Sequence, residues 1–317
     1  MPVAGLDTGL AVIALRAAGV PADHPQLRKA GEWLLGEEVT VRGDWAIRRP
    51  ELAPGGWAFE FENDLYPDVD DTAVVALALR ELGMGQDAVS RGLDWIVGMQ
   101  SANGGWGAFD ADNSSYWLYK LPFCDFGYVI DPPSEDVSAH ALEALAPVAG
   151  YEDPVARGLE YLVKEQQWDG SWWGRWGVNH VYGTGAVLPA LEACGFDPQH
   201  PVVRKAVAWL DSVQDPSGGF GEDIRSYHET TMRGQGVTTA SQTAWALLGY
   251  VAAGDAKGRS ATRAADFLCA KQDANGDWSE QHYTGTGFPT DFMIRYHLYR
   301  LHFPLMALGR LRERLNG

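Results

Sequence analysis

Three aspartates stand within four residues in Asp68-Val69-Asp70-Asp71, followed by Thr72 and an apolar run. Carboxylates this close repel one another, and the repulsion holds a proton on one of them near neutral pH. A helix N-terminus or a nearby imidazolium acts in the opposite sense and makes that proton easier to donate. The group is then a strong Brønsted acid. A cluster of solvated capping aspartates would have the same spacing, so the surroundings must decide. In Ser134-Glu135-Asp136-Val137-Ser138-Ala139-His140, Asp136 and His140 are four apart and share a helical face. Tyr182 follows soon after Trp176, and Phe288, Phe292, Tyr296 and Tyr299 cluster near the C-terminus. Ring faces are negative and stabilise cations without trapping them as a nucleophile would. One proton donor among many rings suits carbocation chemistry, begun by protonating an alkene.

The elements that must position these groups come from a repeat. Four segments share one layout: Trp95 to Gln100 and Trp106, Tyr161 to Gln166 and Trp172, Trp209 to Gln214 and Phe220, Phe267 to Gln272 and Trp278. Gln follows the first aromatic by five residues and precedes the second by six. A degenerate copy runs from Arg28 through Trp33 to Trp45. Between the copies lie runs of Ala, Val and Leu that open near Asp7, Asp71, Val137, Gly183, Gln242 and Gly285. Small or hydroxylated residues ahead of good helix formers mark helix starts. An all-apolar helix is buried and one with a charged face lies outside. Six inner helices, an outer helix after each of the first five and a final helix near Leu301 to Arg312 predict a closed all-α toroid in one domain. The Gln and Trp motifs then fall at turns after outer helices, where they brace the scaffold. The inner-helix N-termini, with the acidic and aromatic groups, are expected at one end of a central cavity.

Composition limits the alternatives. The chain of 317 residues carries 25 basic and 42 acidic side chains, a net charge of −17, and a pI near 4.8. That balance excludes a binder of nucleic-acid phosphate and a polybasic grip on anionic lipid. Cys124, Cys194 and Cys269 are scattered and fit a reducing cytoplasm better than a disulfide scaffold. A glycosidase would need two carboxylates across a polar cleft, and a zinc prenyltransferase a ligand set that the spacing of Cys and His does not offer. A DDxxD motif for metal-assisted ionisation of a diphosphate is missing as well.

These motifs resemble class II terpene cyclases, specifically the catalytic half of squalene–hopene cyclases. The resemblance extends along the chain: Asp68-Val69-Asp70-Asp71-Thr72-Ala73, the Gln…Gly-x-Trp repeats, Pro122-Phe123-Cys124-Asp125-Phe126, Asp131-Pro132-Pro133-Ser134-Glu135-Asp136, Gly174-Arg175-Trp176-Gly177-Val178-Asn179 and Tyr283-Thr284-Gly285-Thr286-Gly287-Phe288-Pro289. It implies an (α/α)6 barrel of the terpene cyclase/prenyltransferase type, called the β domain, with no cofactor and no metal. Asp70 would be the proton donor, flanked by Asp68 and Asp71 and tuned by His140 with Asp136. Tyr182 would lie near the acid and order a water that restores the proton. Trp57, Phe59, Phe109, Trp176, Phe288, Phe292, Ile294, Tyr296 and Tyr299 would line the cation path, with Phe123, Cys124 and Phe126 near the substrate channel.

Departures from the family sharpen the expectation. Met1 comes just before the first inner helix, so residues 1–317 read as a β domain without the family's second barrel, the γ domain. The expected substrate is a linear isoprenoid, shorter than squalene or attached to an aromatic acid or similar head. Arg295 is a candidate for receiving an anionic head group. The alternative is a non-autonomous half that needs a γ-like partner. Tyr116, Trp117, Leu118 and Tyr119 form an aromatic segment suited to a membrane interface. A cytoplasmic protein with monotopic membrane contact is therefore expected, and a second copy of the chain is a further candidate partner.

Overall fold

The alternation of all-apolar and amphipathic runs becomes an alternation of buried and half-exposed helices. The computed structural model describes residues 4–59, 63–121, 129–289 and 291–317, which include eleven α-helices and two short hairpins. The chain divides into two units, Met1–Tyr161 and Leu162–Gly317.

In the first unit the inner helices are α1 (Ala4–Ala17), α3 (Val69–Leu82) and α5 (Glu135–Leu145), and α1 and α5 both pack against α3. The outer helices are α2 (Pro25–Gly36), α4 (Gln86–Gly98) and α6 (Glu152–Glu165), whose last turn runs into the second unit. Gly9 permits the close α1–α3 approach, because a Cβ there would meet Val74 Cγ1 at 2.9 Å. In the second unit α7 (His180–Ala193), α9 (Ala240–Ala252) and α11 (Tyr299–Asn316) are inner, and α8 (Pro201–Val213) and α10 (Arg259–Lys271) are outer. Every residue of α9 is buried, whereas α8 buries one stripe through Val203, Ala206, Val207 and Leu210.

The repeated motifs lock each outer helix to its neighbours. The Gln100 amide donates to the Gly104 and Pro154 carbonyls, Gln166 to Gly170 and Val202, and Gln214 to Gly218 and Ser260. Each pair joins the turn after one outer helix to the first turn of the next. The glycine must be glycine: Gly104, Gly170 and Gly218 have φ of 93°, 107° and 95°, with the next helix's backbone where a Cβ would sit. The indole N–H groups of Trp106, Trp172 and Trp278 donate to the Ile96, Leu162 and Leu268 carbonyls, each ten residues earlier. The backbone N–H of Trp57, Trp106, Trp172 and Phe220 donates to a hydroxyl in the first turns of the next inner helix, on Thr72, Ser138, Thr184 and Thr243.

Two expectations need correction. The degenerate first repeat ends at Trp57, not Trp45, since it is the Trp57 indole that donates to the Leu34 carbonyl of α2. Trp45 instead sits edge-on to Trp95. No inner helix begins at Gly285. Residues Gly285–Phe288 (β3) pair antiparallel with Phe292–Ile294 (β4), and the sixth inner helix is α11. Glycines at 285 and 287 alternate with a β-branched Thr286 and precede Pro289, a pattern costly in a helix interior and tolerated in a hairpin. Among the described residues, no helix is long and apolar enough to cross a membrane.

Candidate active site

The acid motif is held by a small hairpin and a cap. Trp57–Ala58 (β1) pairs antiparallel with Pro67–Asp68 (β2), placing Trp57 opposite Asp68 at the start of α3. Asp68 is the N-cap in extended geometry, and its Oδ1 accepts the Asp71 N–H at 2.7 Å. Thr72 Oγ1 donates to the Asp68 carbonyl at 2.6 Å, and the Val69 N–H to the Ala108 carbonyl at 2.8 Å. The motif's backbone is thus fixed from three sides. Asp68 and Asp71 turn inward and are 2% and 1% exposed. Asp70 faces α5 instead, where its Oδ1 meets His140 Nδ1; the two side chains are 17% and 21% exposed.

The protonation states follow from that arrangement. Burial raises Asp68 to about 8, with Asp70 adding to the rise and the backbone N–H of Asp71 opposing it. Burial, then the charges of Asp68 and Asp70, push Asp71 well above the carboxylate range. For His140 burial works against the charge, but the Asp70 carboxylate, with help from Glu143 and Asp136, raises it to about 9. The ring is an imidazolium at neutral pH and its Nδ1–H donates to Asp70. Asp136 is fully buried and accepts the Ser134 hydroxyl at 2.6 Å. The five acid-motif and tuning residues expected from the sequence therefore assemble in one unit.

Most of the expected aromatic residues lie in the other unit, Leu162–Gly317. Tyr182 packs its ring 4.7 Å from Trp245. Tyr299 stacks on Tyr296 at 4.4 Å and meets Phe303 edge-on at 4.9 Å, while Trp245 lies 5.3 Å from Phe303. Arg175 covers the Trp176 ring at 4.4 Å, and the hairpin carries Phe288 and Phe292 with centroids 6.3 Å apart and Ile294 partly exposed. In the first unit Phe59 and Phe109 are partly exposed, and the Phe109 N–H is held by Asp131. Trp57 offers no face to a ligand: it is 1% exposed, against Gly92 and Thr72, and serves the scaffold. Phe123, Cys124 and Phe126 lie outside the described residues. Arg295 Nη2 donates to the Glu280 carbonyl at 2.8 Å, beside a polar cleft of about 600 Å³ that also presents Asp277 and Arg300. Tyr116–Lys120 forms a 3-10 turn with Tyr116, Trp117 and Tyr119 exposed.

Sequence reading missed several groups. Trp245 and Phe303 bind the aromatic cluster together, and helical spacing around Tyr299 would have suggested Phe303. Buried Glu222 accepts the Val181 N–H at 2.8 Å, and buried Glu280 accepts the Ser241 N–H and hydroxyl, each at 2.9 Å. Both stand two residues after the second aromatic of a repeat. Asp7, in the first turn of α1, adds its charge to Asp71.

Comparison with known proteins matches residues 2–313 to the squalene–hopene cyclase C-terminal domain. The chain belongs to this family. The squalene–hopene cyclase of Alicyclobacillus acidocaldarius is 55% identical over 315 residues, covering 97% of this chain and 50% of that protein. The chain thus spans about half the length of the curated relatives it matches. Among solved structures, the type II terpene cyclase MstE from Scytonema, in complex with geranylgeranyl dihydroxybenzoate, superposes with a TM-score of 0.70 at 19% identity, covering 98% of this chain and 88% of that one. The ent-copalyl diphosphate synthase of Streptomyces platensis gives 0.67 at 21% identity, covering 98% and 51%. These likenesses establish the helical toroid class of the terpene cyclases as the fold.

Proposed function

We propose that this squalene–hopene cyclase domain is a protonation-initiated terpene cyclase in which Asp70 is the acid. The Asp70–His140 contact at the start of α3 carries the reading. The alkene's π electrons take the proton from the Asp70 carboxyl, leaving a tertiary cation and a carboxylate. The adjacent imidazolium stabilises that carboxylate at the moment it forms, which lowers the barrier. Asp68 and Asp71, both raised by burial so that they do not ionise together, keep the site from accumulating charge that would bind the proton too tightly. Successive double bonds then attack the cation, and loss of a proton or capture of a nucleophile ends the cascade.

Phe59 and Phe109 are the proposed cation-stabilising side chains of the unit that holds the acid, and Trp176, Phe288, Phe292, Ile294, Tyr296 and Tyr299 those of the other unit, where Tyr182 is proposed to order a water. The substrate is a linear polyprenyl chain, free or attached to an aromatic acid; MstE, with its prenylated dihydroxybenzoate, supports the latter. Arg295 is the proposed contact for an anionic head. The exposed Tyr116–Tyr119 turn is the proposed membrane contact, through which a lipid-soluble substrate would enter. The test is turnover of linear prenyl substrates by the purified chain, read by mass spectrometry. Cyclised product from the native chain and none from Asp70→Asn supports the acid; equal rates end the proposal.

A second reading follows from length. Because the chain spans about half of its curated relatives, it fits a catalytic half that works together with a γ-like barrel. Product that appears only when such a barrel is added selects this reading.

A further inference from the structure

An acid that gives up its proton at every turnover must be reloaded, and the buried side of the motif contains groups that the protonation step does not use. We infer that Asp71 and Asp68 share a proton, and that Asp7 admits its replacement from solvent, so that these three carboxyls reload Asp70. The inference rests on the acid role of Asp70 and assigns a positioning and supply role to Asp7.

Three observations carry it. Asp68 Oδ2 and Asp71 Oδ1 are buried, and neither has a hydrogen-bond partner among the described residues if both carboxyls are ionised. A carboxylate oxygen buried without a donor is costly. A proton on one of the pair, donated to the other, removes that cost, as for any two carboxyls forced into one site. Second, Asp71 Oδ1 lies on the side of α1: a Cβ on Gly5, in the first turn of that helix, would stand 3.4 Å from it. Third, Asp7 is in that same first turn, only partly buried, and close enough for its charge to act on Asp71. The remaining charged groups face Asp70 from α5: His140 directly, with Asp136 and Glu143 acting on the ring. The charges acting on Asp71 among the described residues are those of Asp68, Asp70 and Asp7, all carboxyls, so a proton is the species that can neutralise the pair.

The cycle balances. The O–H bond on the shared pair breaks and an O–H bond forms on the Asp70 carboxylate. A proton from solvent then passes through Asp7 to Asp71. One proton enters in each cycle, and the one released when the cascade ends returns to solvent.

The test separates the first turnover from those that follow. In Asp7→Asn the first turnover, seen as a rapid burst of one product per enzyme, is retained, and the steady rate falls by about tenfold or more. Asp7→Glu, which keeps the carboxyl, restores the steady rate. If burst and steady rate fall together, or Asp7→Glu does not restore turnover, Asp7 merely supports the fold and the inference is overturned. Infrared spectroscopy decides the matter even in a chain that forms no product, where the cyclase reading alone has failed. A protonated-carboxyl C=O band at neutral pH should weaken in Asp71→Asn. Its shift on transfer to D2O should be slower in Asp7→Asn than in the native chain. A band untouched by Asp71→Asn, or equal exchange rates, overturns the inference.

Discussion

The starts of α3, α7 and α9 all receive a buried carboxylate, yet only the first looks chemical. At α7 and α9 the carboxylate comes from the loop after an outer helix. Glu222 accepts the Asn179 and Val181 N–H groups, and Glu280 those of Ser241. The unsatisfied donors of a helix start consume such a carboxylate as a cap. At α3 the capping duty falls on Asp68, and Asp70 is left free to meet an imidazolium. The lesson is that a neighbour which takes over the capping leaves an aspartate at a helix start available for the proposed acid role. The sharpest way to break this contrast is Asp70→Asn. It should lower cyclisation by about a hundred- to ten-thousandfold, the usual worth of a general acid, and lower the melting temperature only as far as loss of the His140 pair does. A large loss of melting temperature with activity preserved would make Asp70 a cap like the others.

His140 carries the next largest expected effect. Its folded value of about 9 exceeds the unperturbed value, so the folded state holds the proton more tightly than the unfolded chain. The pair's contribution to stability is therefore fully present below about pH 6.5 and lost as pH rises through 9. The same deprotonation removes the imidazolium that stabilises the Asp70 carboxylate. His140→Gln should lower the rate by about tenfold to a hundredfold and flatten the pH dependence of melting between 6.5 and 9. An unchanged melting profile from pH 6 to 10 in that variant would mean that the ring does not titrate in this range.

How far the sequence alone leads depends on range. The Asp68–Asp71 motif and the Asp136/His140 spacing are local, and the elements that hold them obey the helix-start rules. The repeats were equally legible, because one motif solves the same hydrogen-bonding problem at each turn. What was not legible depends on distant partners. Trp57 and Trp45 are both tryptophans after α2, and only the Leu34 carbonyl distinguishes the scaffold residue. The Gly285–Phe288 strand reads as a helix start by analogy with the earlier runs, although its alternating glycines argue otherwise. Glu222 and Glu280 belonged to the repeat but were hidden by Phe59, Ala108 and Gly174 at the same position in other copies.

On the capping side of the comparison, Glu222→Ala should destabilise the chain by about 2–3 kcal/mol, since it strands buried N–H groups at the start of α7. Glu222→Gln retains an acceptor and should recover most of that loss in denaturant titration. Should Gln be as damaging as Ala, the negative charge at the helix start matters more than the hydrogen bonds, and the distinction between capping and charged roles narrows.

The smallest expected effect tests whether a repeated motif does equal duty at every copy. Buried Gln100 bridges two carbonyls and accepts from Arg157, whereas exposed Gln272 shows one bond, to the Gly276 carbonyl. Removing the Gln100 amide takes the side-chain donor from the Gly104 carbonyl and the acceptor from Arg157, and burial keeps water from replacing them. Gln100→Ala should therefore cost about 1–3 kcal/mol. Gln272→Ala loses a bond that water can make, and should change stability by no more than about 0.5 kcal/mol. Equal losses in a denaturant titration would show that the brace acts through the turn's own conformation, and burial of the amide would then be incidental to its strength.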